Sequence, residues 1–289
     1  MNRLCVLGFG LIGGSFALAQ KRAEPTHVTA VDFASVLAEP RAKQIADELV
    51  NAADEAATRA ALRDADLVFL AVPVRVLCER LAFVLPESRL VTDCGSTKRA
   101  IVRAASGTPN QRRFVPGHPM AGLPDGGIAE ARAELFDGRP WILCGEGADS
   151  DAVESVERWV RRTGGAPVHL SAAAHDAAVA RTSHLPQLVA SALLGMVGAR
   201  SAAVTGGPAF ERLTRTAGGP QAMWRDIFAS NSDEIAAALG ELIRTLSSVQ
   251  AELSQGASSA QADALLEAAR QVRYELQRAG AVSASQSGE

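Results

Sequence analysis

The sequence predicts an α/β fold in which a mostly parallel sheet, covered by helices on both faces, precedes an all-helical domain. Up to about residue 170, short apolar runs of strand length alternate with helical patterns, as in sheets built from strand–helix–strand units. From about Ser171 these runs cease, and alanine- and leucine-rich stretches carry acids and arginines at helical spacing. We therefore expect one domain at 1–170, a helical domain at 171–281 and a flexible tail at 282–289.

Apolar runs and turn residues locate the individual elements. Strands are predicted at residues 4–7, 27–32, 66–73, 89–93, 114–117, 141–144 and 166–170. Helices are predicted at 40–50, 172–200, 205–217, 220–246 and 258–279. Pro186 lies inside the helix at 172–200 and is expected to kink it, because proline removes a backbone hydrogen bond.

Composition excludes several classes of protein. The 289 residues carry a formal net charge of −3, which argues against a nucleic-acid partner because such a partner requires a basic face. The four cysteines have no metal-type spacing and are interpreted as buried thiols, so no metal ion is expected. Neither a signal-peptide pattern nor an apolar run of about 18 residues is present, so we expect a cytoplasmic protein without a membrane partner.

The first predicted strand runs into a glycine-rich turn that is typical of dinucleotide-binding domains. Gly8 permits a tight turn, Gly10 lets the backbone approach a pyrophosphate, and Gly13 allows the following helix to pack closely on the strand. The N-terminus of that helix offers free N–H groups to the phosphates. The candidate cofactor-binding residues of this turn are Gly8, Phe9, Gly10, Leu11, Ile12 and Gly13.

Asp32 ends the second predicted strand at about the 20-residue spacing from Gly13 that a Rossmann-type domain requires. A carboxylate there accepts hydrogen bonds from a ribose 2′-hydroxyl and repels a 2′-phosphate, so NAD is favoured over NADP. Arg41 and Lys43 lie close enough in sequence to leave NADP open. The third strand is expected to end beside the cofactor, at Ala71, Val72 and Pro73.

Two motifs at predicted strand ends could carry chemistry. His118 stands among the prolines and glycines of residues 116–122, an irregular backbone expected to aim a side chain at the ligand-binding edge of the sheet. A neutral imidazole accepts a proton near neutral pH, so His118 is a candidate general base. Ser96 follows the strand that ends at Asp93, and its hydroxyl could take part in the chemistry or simply cap the next helix.

The helical domain supplies polar and cationic candidates. His184 and Gln187 lie three residues apart and share a helix face beside the kink expected at Pro186. That face could be a ligand wall or a purely structural kink. Arg212 and Arg215 are candidate anion-binding residues, because a guanidinium binds a carboxylate through two hydrogen bonds.

Taken together and in this order, several segments resemble the prephenate/arogenate dehydrogenase family of tyrosine biosynthesis. They are the glycine turn, 93–98, 117–122, 183–186 and 213–215 with 223–226. The resemblance extends from residue 4 to about residue 246. It implies an N-terminal Rossmann domain, a helical C-terminal domain that forms a homodimer, and an active site in the cleft between them.

The resemblance also implies a reaction, the oxidative decarboxylation of a small-molecule substrate. A hydride passes to NAD⁺ from the ring carbon that bears the 4-hydroxyl, and the ring carboxylate leaves as CO₂. By similarity, His118 takes the hydroxyl proton, Ser96 hydrogen-bonds that hydroxyl and orients His118, and Arg215 holds a substrate carboxylate. The pocket-lining residues by similarity are Ser183, His184 and Gln187.

The sequence departs from the family pattern at three positions. Gln187 stands where many members have a second histidine, Pro124 where an acid is common, and Arg212 where an acid often precedes Arg215. The added positive charge of Arg212 suits the keto acid prephenate better than the ammonium-bearing arogenate. Arogenate and a 4-amino analogue of prephenate remain open as substrates.

Two more distant alternatives belong to other classes. A dehydrogenase of the β-hydroxyacid or imine-reductase type shares the Rossmann start but does not predict His118 as the base. A nucleotide-binding module without turnover does not explain the histidine, serine and arginine of the motifs.

Overall fold

The computed structural model describes residues 1–123, 126–256 and 259–278, so Pro124 and the tail predicted at 282–289 lie outside the described residues. The chain divides into two compact units, the first Met1–Ile235 and the second beginning at Ala236.

The strands are β1 (Asn2–Leu7), β2 (Thr26–Asp32), β3 (Glu48–Asn51), β4 (Leu67–Leu70), β5 (Val91–Asp93), β6 (Phe114–Val115), β7 (Gly117–Pro119), β8 (Pro140–Leu143) and β9 (Ala166–His169).

The helices of the first half are α1 (Leu11–Ala23), α2 (Ala34–Leu37), α3 (Pro40–Ile45), α4 (Glu55–Asp64), α5 (Val74–Val84), α6 (Arg99–Ala105) and α7 (Ser150–Arg162). Those that follow are α8 (Ala172–Val179), α9 (Leu185–Thr205), α10 (Pro208–Thr214), α11 (Gln221–Ser230), α12 (Ser232–Leu253) and α13 (Ala260–Arg278).

The first six strands form one parallel sheet in the order β3-β2-β1-β4-β5-β6. Alternate β1 residues enter two separate cores: Leu4 and Val6 pack with α1 and α7, whereas Cys5 and Leu7 pack with α4 and α5. A parallel sheet buried on both faces is the predicted fold class, which is confirmed.

A second sheet of three strands was not predicted. β7 pairs antiparallel with β8, and β8 pairs parallel with β9. The strand predicted at 114–117 is therefore two strands, because Pro116 has no N–H to continue the ladder and the chain passes there from the first sheet to the second. His118 consequently lies in the middle of β7, and not on irregular backbone beyond a strand end.

The helix predicted at 40–50 is also wrong in its second half. α3 ends at Ile45, and residues Glu48–Asn51 form β3, which pairs with β2. Asp47 explains the change of structure. Its backbone N–H donates to the carbonyl of Val28 and its carboxylate accepts from the N–H of Val28 at 2.8 Å, so the chain is joined to β2 and extends.

The helices after Ser171 are divided more often than predicted. The helix expected at 172–200 contains a π-helical turn, Ala180–His184, which ends two residues before Pro186, close to the expected kink. The helix expected at 220–246 is two helices, because Asn231, at φ −133°, ends α11 and α12 begins at the next residue.

The second unit comprises most of α12 together with α13. These helices expose large apolar side chains, among them Ile243, Leu246, Leu266, Val272 and Tyr274, all more than half exposed. Of the helices that the structure describes, none combines the length and apolar character needed to cross a bilayer.

Candidate active site

The turn after β1 has the geometry of a dinucleotide-binding turn. Gly8 has a φ of +93°, and a Cβ there would overlap the carbonyl oxygen of Ala71. A Cβ on Gly13 would overlap the carbonyl oxygen of Gly8, so α1 packs this closely only because the side chain is absent. A Cβ on Gly10 would meet no atom of the described residues within 4 Å, which leaves the backbone open to a ligand. The turn therefore fits a dinucleotide pyrophosphate.

Asp32 fixes this turn and borders the adjoining cleft. Its carboxylate accepts hydrogen bonds from the N–H of Phe9 at 2.6 Å and of Phe33 at 2.7 Å, and each oxygen retains a lone pair for a ribose hydroxyl. Val72 and Arg80 line the same cleft. Ala71 and Pro73 flank Val72 in the segment that joins β4 to α5.

Arg41 and Lys43, the two cations whose position in the sequence kept NADP as a possible cofactor, lie on α3. Arg41 donates to the carbonyl of Ala131 at 3.1 Å, and Lys43 is exposed. Neither is among the residues that line the cleft beside Asp32.

His118 is held on β7 opposite Ile142 of β8. The preceding residue must be glycine, because a Cβ on Gly117 would lie 2.8 Å from the carbonyl oxygen of Asp93. β7 can therefore run close to the end of β5. The imidazole of His118 is partly exposed, while both of its neighbours on the strand are buried.

A hydrogen-bonded series of side chains begins at His118. Its Nδ1 lies 2.8 Å from Nε2 of His175, and Nδ1 of His175 lies 2.8 Å from Oδ1 of Asp176. His175 and Asp176 are completely buried on α8, whose inward face also contains Ala172 and Val179 at helical spacing. Among the described residues, Nε2 of His118 has no hydrogen-bond partner.

A buried ion pair supports the strand beneath His118. Nζ of Lys98 lies 2.5 Å from Oδ2 of Asp93 and 2.5 Å from the carbonyl oxygen of Gly117, and both charged side chains are fully buried. Asp93 also accepts from the N–H of Gly117 at 2.9 Å. The pair therefore joins the end of β5 to the residue that precedes His118.

The surroundings determine the protonation states of this series. Burial, together with the nearby His175, Lys98 and His184, lowers the pKa of His118 well below its ordinary value of 6.5. Burial alone would raise the pKa of Asp176, but hydrogen bonds from His175 and from the N–H groups of Arg99 and Lys98 bring it below 3.8. At neutral pH the series therefore contains a neutral His118 and an ionised Asp176.

Asp176 also connects α8 to the start of α6 and to the junction of α11 and α12. It accepts from the N–H of Lys98 at 2.7 Å and of Arg99 at 2.9 Å, where α6 begins. Asn231, which separates α11 from α12, donates to the backbone carbonyl of Asp176 at 2.9 Å and accepts from Arg99 at 2.9 Å. Arg99 further pairs with Asp233. The position of Asp176 is thus fixed from α6, α8 and the α11–α12 junction.

The structure brings only some of the predicted site residues to this network. His184 is buried in the π-helical turn, 3.4 Å from Nδ2 of Asn231, and burial lowers its pKa to about 4. Gln187 is buried one turn later, and its Oε1 has no hydrogen-bond partner among the described residues. Ser183, Arg212 and Arg215 are exposed and make no hydrogen bond to the network within the described residues.

Among the described residues, Ser96 makes no hydrogen bond to His118, and its orienting role stays a prediction. Ser96 is half-buried between β5 and α6 and has no side-chain hydrogen-bond partner in the described part of the chain. The residue hydrogen-bonded to Nδ1 of His118 is instead His175. Contact of Ser96 with a substrate hydroxyl stays a prediction.

Sequence reasoning did not identify Lys98, Arg99, His175, Asp176 or Asn231 as site residues. A signal for His175 and Asp176 was present, because two adjacent polar residues stand on an otherwise alanine-rich helix face and require buried partners. Asn231 gave no comparable signal, since its role follows from a helix break that the local pattern does not mark.

A doubly covered parallel sheet with a dinucleotide-binding turn, and a partly exposed histidine with one ring nitrogen that has no hydrogen-bond partner among the described residues, are features of a nucleotide-dependent oxidoreductase. Comparison with known families agrees. Residues 19–169 match the family described as "Prephenate dehydrogenase, nucleotide-binding domain", and residues 171–271 match "Prephenate dehydrogenase, dimerization domain". The chain belongs to the prephenate dehydrogenase family.

Individual relatives agree with this assignment. A prephenate dehydrogenase of Bacillus subtilis is 33% identical over 273 residues, which cover 88% of this chain and 71% of the relative. A cyclohexadienyl dehydrogenase of Zymomonas mobilis is 30% identical and covers 88% of this chain and 89% of the relative. The crystal structure of an Aquifex aeolicus prephenate dehydrogenase, in complex with hydroxyphenyl propionate and NAD⁺, superposes with a TM-score of 0.85 at 28% identity and covers 96% of this chain and 98% of that one.

Proposed function

We propose that this chain catalyses the NAD-dependent oxidative decarboxylation of prephenate to 4-hydroxyphenylpyruvate, a step of tyrosine biosynthesis. The observation that carries the proposal is the hydrogen-bonding state of His118. One ring nitrogen is 2.8 Å from His175, and the other has no partner among the described residues, so it is available to a substrate hydroxyl.

His118 acts as the general base. As the ring C–H bond breaks, its free Nε2 takes the proton of the 4-hydroxyl and the carbon becomes a carbonyl. Loss of CO₂ then returns an electron pair to that oxygen, and the proton moves back from His118 to give the phenol. NAD⁺, when bound, accepts the hydride. General-base assistance of this kind contributes about 10²- to 10⁴-fold to the rate.

The residues around Asp32 favour NAD over NADP. The Asp32 carboxylate retains acceptor capacity for a ribose 2′-hydroxyl and would repel a 2′-phosphate. Arg80, which lines the same cleft, would weaken that repulsion. We expect a clear preference for NAD⁺ together with measurable use of NADP⁺.

Substrate binding is assigned to residues of the helical region. The exposed guanidinium groups of Arg212 and Arg215 are available to hold substrate carboxylates, and Ser96 is available to the 4-hydroxyl. Ser183, His184 and Gln187 complete the proposed pocket. These roles rest on family similarity and on the availability of the side chains.

A homodimer is the proposed assembly. The dimerization domain of the family matches residues 171–271, and within that range α12 and α13 expose Ile243, Leu246, Leu253 and Leu266. Exposed apolar side chains at helical spacing are typical of helices that pack against a second subunit. We expect a cytoplasmic enzyme without a nucleic-acid or membrane partner.

Arogenate is the second candidate substrate, and one observation favours it. The buried Oε1 of Gln187 has no hydrogen-bond partner in the described structure, and an amide oxygen accepts from an ammonium group but not from a ketone. If Gln187 contacts the substrate side chain, arogenate is oxidised as well as prephenate.

One assay tests the proposal and its alternative together. Initial rates of NADH and NADPH formation are measured with prephenate and with arogenate, alongside CO₂ release, for the native enzyme and for His118→Asn. We expect equal NADH and CO₂ from prephenate, and a loss of at least about 10²-fold in kcat for the variant with unchanged NAD⁺ affinity. Native turnover of neither substrate, or full turnover by the variant, contradicts the proposal.

A further inference from the structure

We propose that His175 is a positioning residue that also relays a proton. It accepts the Nδ1 proton of His118 while Nε2 of His118 takes the hydroxyl proton of the substrate. Asp176 stabilises the positive charge that His175 then carries. The proposal rests on the function proposed above. It concerns side chains that touch neither the substrate nor the cofactor directly, since His175 and Asp176 are completely buried behind His118.

The positions of the protons follow from the end of the series. The ionised carboxylate of Asp176 can only accept, so Nδ1 of His175, 2.8 Å away, is the donor. The relay places a single proton on the ring of His175, which leaves its Nε2 unprotonated to accept from Nδ1–H of His118 at 2.8 Å. His118 therefore carries its proton on Nδ1, and its free Nε2 is a lone-pair acceptor. A single carboxylate thereby selects the tautomer that a general base needs.

The relay avoids a positive charge on His118, which its surroundings disfavour. The cation of Lys98 lies near the ring, and the charge of Lys98 and burial both disfavour a positive imidazole there. Asp93 offers little compensation because it is already paired with Lys98. His184, also buried, is neutral near pH 7 and supplies no negative charge.

A positive charge is more stable on the ring of His175 than on the ring of His118. It is in direct contact with the carboxylate of Asp176, whereas His118 is separated from that carboxylate by the whole ring of His175. Arg99 shares Asp176 at 3.3 Å but is itself paired with Asp233, which reduces its competition for the carboxylate. Opposite charges in contact stabilise the ionised form far more than charges one ring apart.

The proposed step conserves every proton. The substrate O–H proton moves to Nε2 of His118 as Nδ1–H of His118 moves to Nε2 of His175. His118 remains neutral throughout, and His175 becomes an imidazolium whose Nδ1–H still donates to an ionised Asp176. When CO₂ has left, both transfers reverse and the product oxygen regains its proton. No net proton is consumed.

A first test does not depend on turnover. Nitrogen-15 NMR of the native enzyme without substrate reports which ring nitrogen of each histidine carries the proton. We expect Nδ1–H with unprotonated Nε2 for both His118 and His175, assigned by comparison with the variants at each position. An Nε2–H tautomer at either histidine overturns the relay, whatever substrate the enzyme uses.

The kinetic test separates proton transfer from simple orientation. In His175→Gln the amide oxygen can still accept from Nδ1–H of His118, but it cannot take up the proton. We expect kcat to fall by about 10²-fold with little change in KM, and the acid limb of the pH profile of kcat to move to lower pH. The acid limb moves because the proton taken from the substrate must then remain on His118, whose pKa is lowered. His175→Ala is expected to lose activity at least as strongly.

The matched control is His169→Gln, which replaces a half-exposed histidine paired with Glu157. Its kinetics and pH profile should equal those of the native enzyme. If His175→Gln retains a native kcat and acid limb, His175 only positions His118 and the relay is wrong. NAD⁺ affinity and melting temperature establish that each variant is folded. A native enzyme with no activity on prephenate or arogenate would refute the proposed function while the tautomer test still judges the relay.

Discussion

Nζ of Lys98 lies 2.5 Å from Oδ2 of Asp93, and neither side chain has any exposed surface. The ammonium also donates to the carbonyl of Gly117, so this pair fixes the strand that carries His118. A buried pair of this kind adds little net stability compared with apolar residues, but removal of one partner leaves a buried charge without compensation.

Lys98→Met is therefore expected to destabilise the protein by about 3–5 kcal/mol. Replacement of both partners, in Lys98→Met with Asp93→Asn, should recover a large part of that loss because no isolated charge remains. Urea unfolding at pH 7 measures both values. Lys43→Met, at an exposed lysine on α3, is the matched control and should change stability by less than about 0.5 kcal/mol. Equal effects at positions 43 and 98 would contradict this account of the pair.

The sequence predicted correctly those elements of the fold that are determined by residues close together in the chain. The turn of Gly8, Gly10 and Gly13 depends on backbone space within one strand–turn–helix unit, and β1, β2 and β4 are apolar runs of strand length. β3 and the second sheet were missed because their cause is pairing with distant strands. Glu48–Asn51 is extended because it pairs with β2.

For the candidate site, the sequence indicated His118 but not the buried residues that support it. His118 was identified from its motif, because a histidine among prolines and glycines is unusual locally. His175 lies 57 residues further along the chain, and its role appears only when α8 packs against β7. The local pattern around His175 could not indicate that it meets the ring of His118.

The glycine turn yields a contrast between two substitutions. Gly13→Ala should destabilise the protein by about 1–3 kcal/mol, because the new methyl group overlaps the carbonyl of Gly8 and lies 2.9 Å from Cγ1 of Val6. Gly10→Ala should fold normally, since its φ of −89° is accessible to alanine and, in the part of the chain that the structure describes, no atom lies within 4 Å of the added Cβ.

For NAD⁺ affinity, in contrast to stability, the expected loss is in Gly10→Ala. Gly10→Ala adds a methyl group where the pyrophosphate approaches, and NAD⁺ affinity is expected to fall about tenfold, equivalent to about 1.4 kcal/mol. Thermal unfolding and NAD⁺ titration monitored by tryptophan fluorescence measure the two effects. Unchanged NAD⁺ affinity in Gly10→Ala would show that the pyrophosphate does not bind at this turn.

Three of the four thiols are expected to be unreactive in the folded enzyme. Burial raises the pKa of Cys5, Cys94 and Cys144 to about 12, so the nucleophilic thiolate is scarce at pH 8. Incubation with a disulfide reagent should leave activity intact while the protein is folded, whereas all four cysteines should react after unfolding in urea. Rapid loss of native activity, matched by modification of Cys94, would contradict the expected protection.

Stability should decline on acidification between about pH 6.5 and pH 4, partly because of His184. Burial lowers its pKa from 6.5 to about 4, so in this interval the unfolded chain binds a proton at His184 that the folded protein does not. The contribution is complete above pH 6.5 and is lost as pH falls, by up to about 3 kcal/mol. Urea unfolding across this range should show a shallower pH dependence for His184→Gln than for the native enzyme. The dependence that remains is attributed to His118 and to carboxyl groups such as Asp176, whose pKa values are also lowered. The exposed control His169→Gln should retain the native dependence. Parallel curves for the native enzyme and His184→Gln would show that His184 titrates alike in both states.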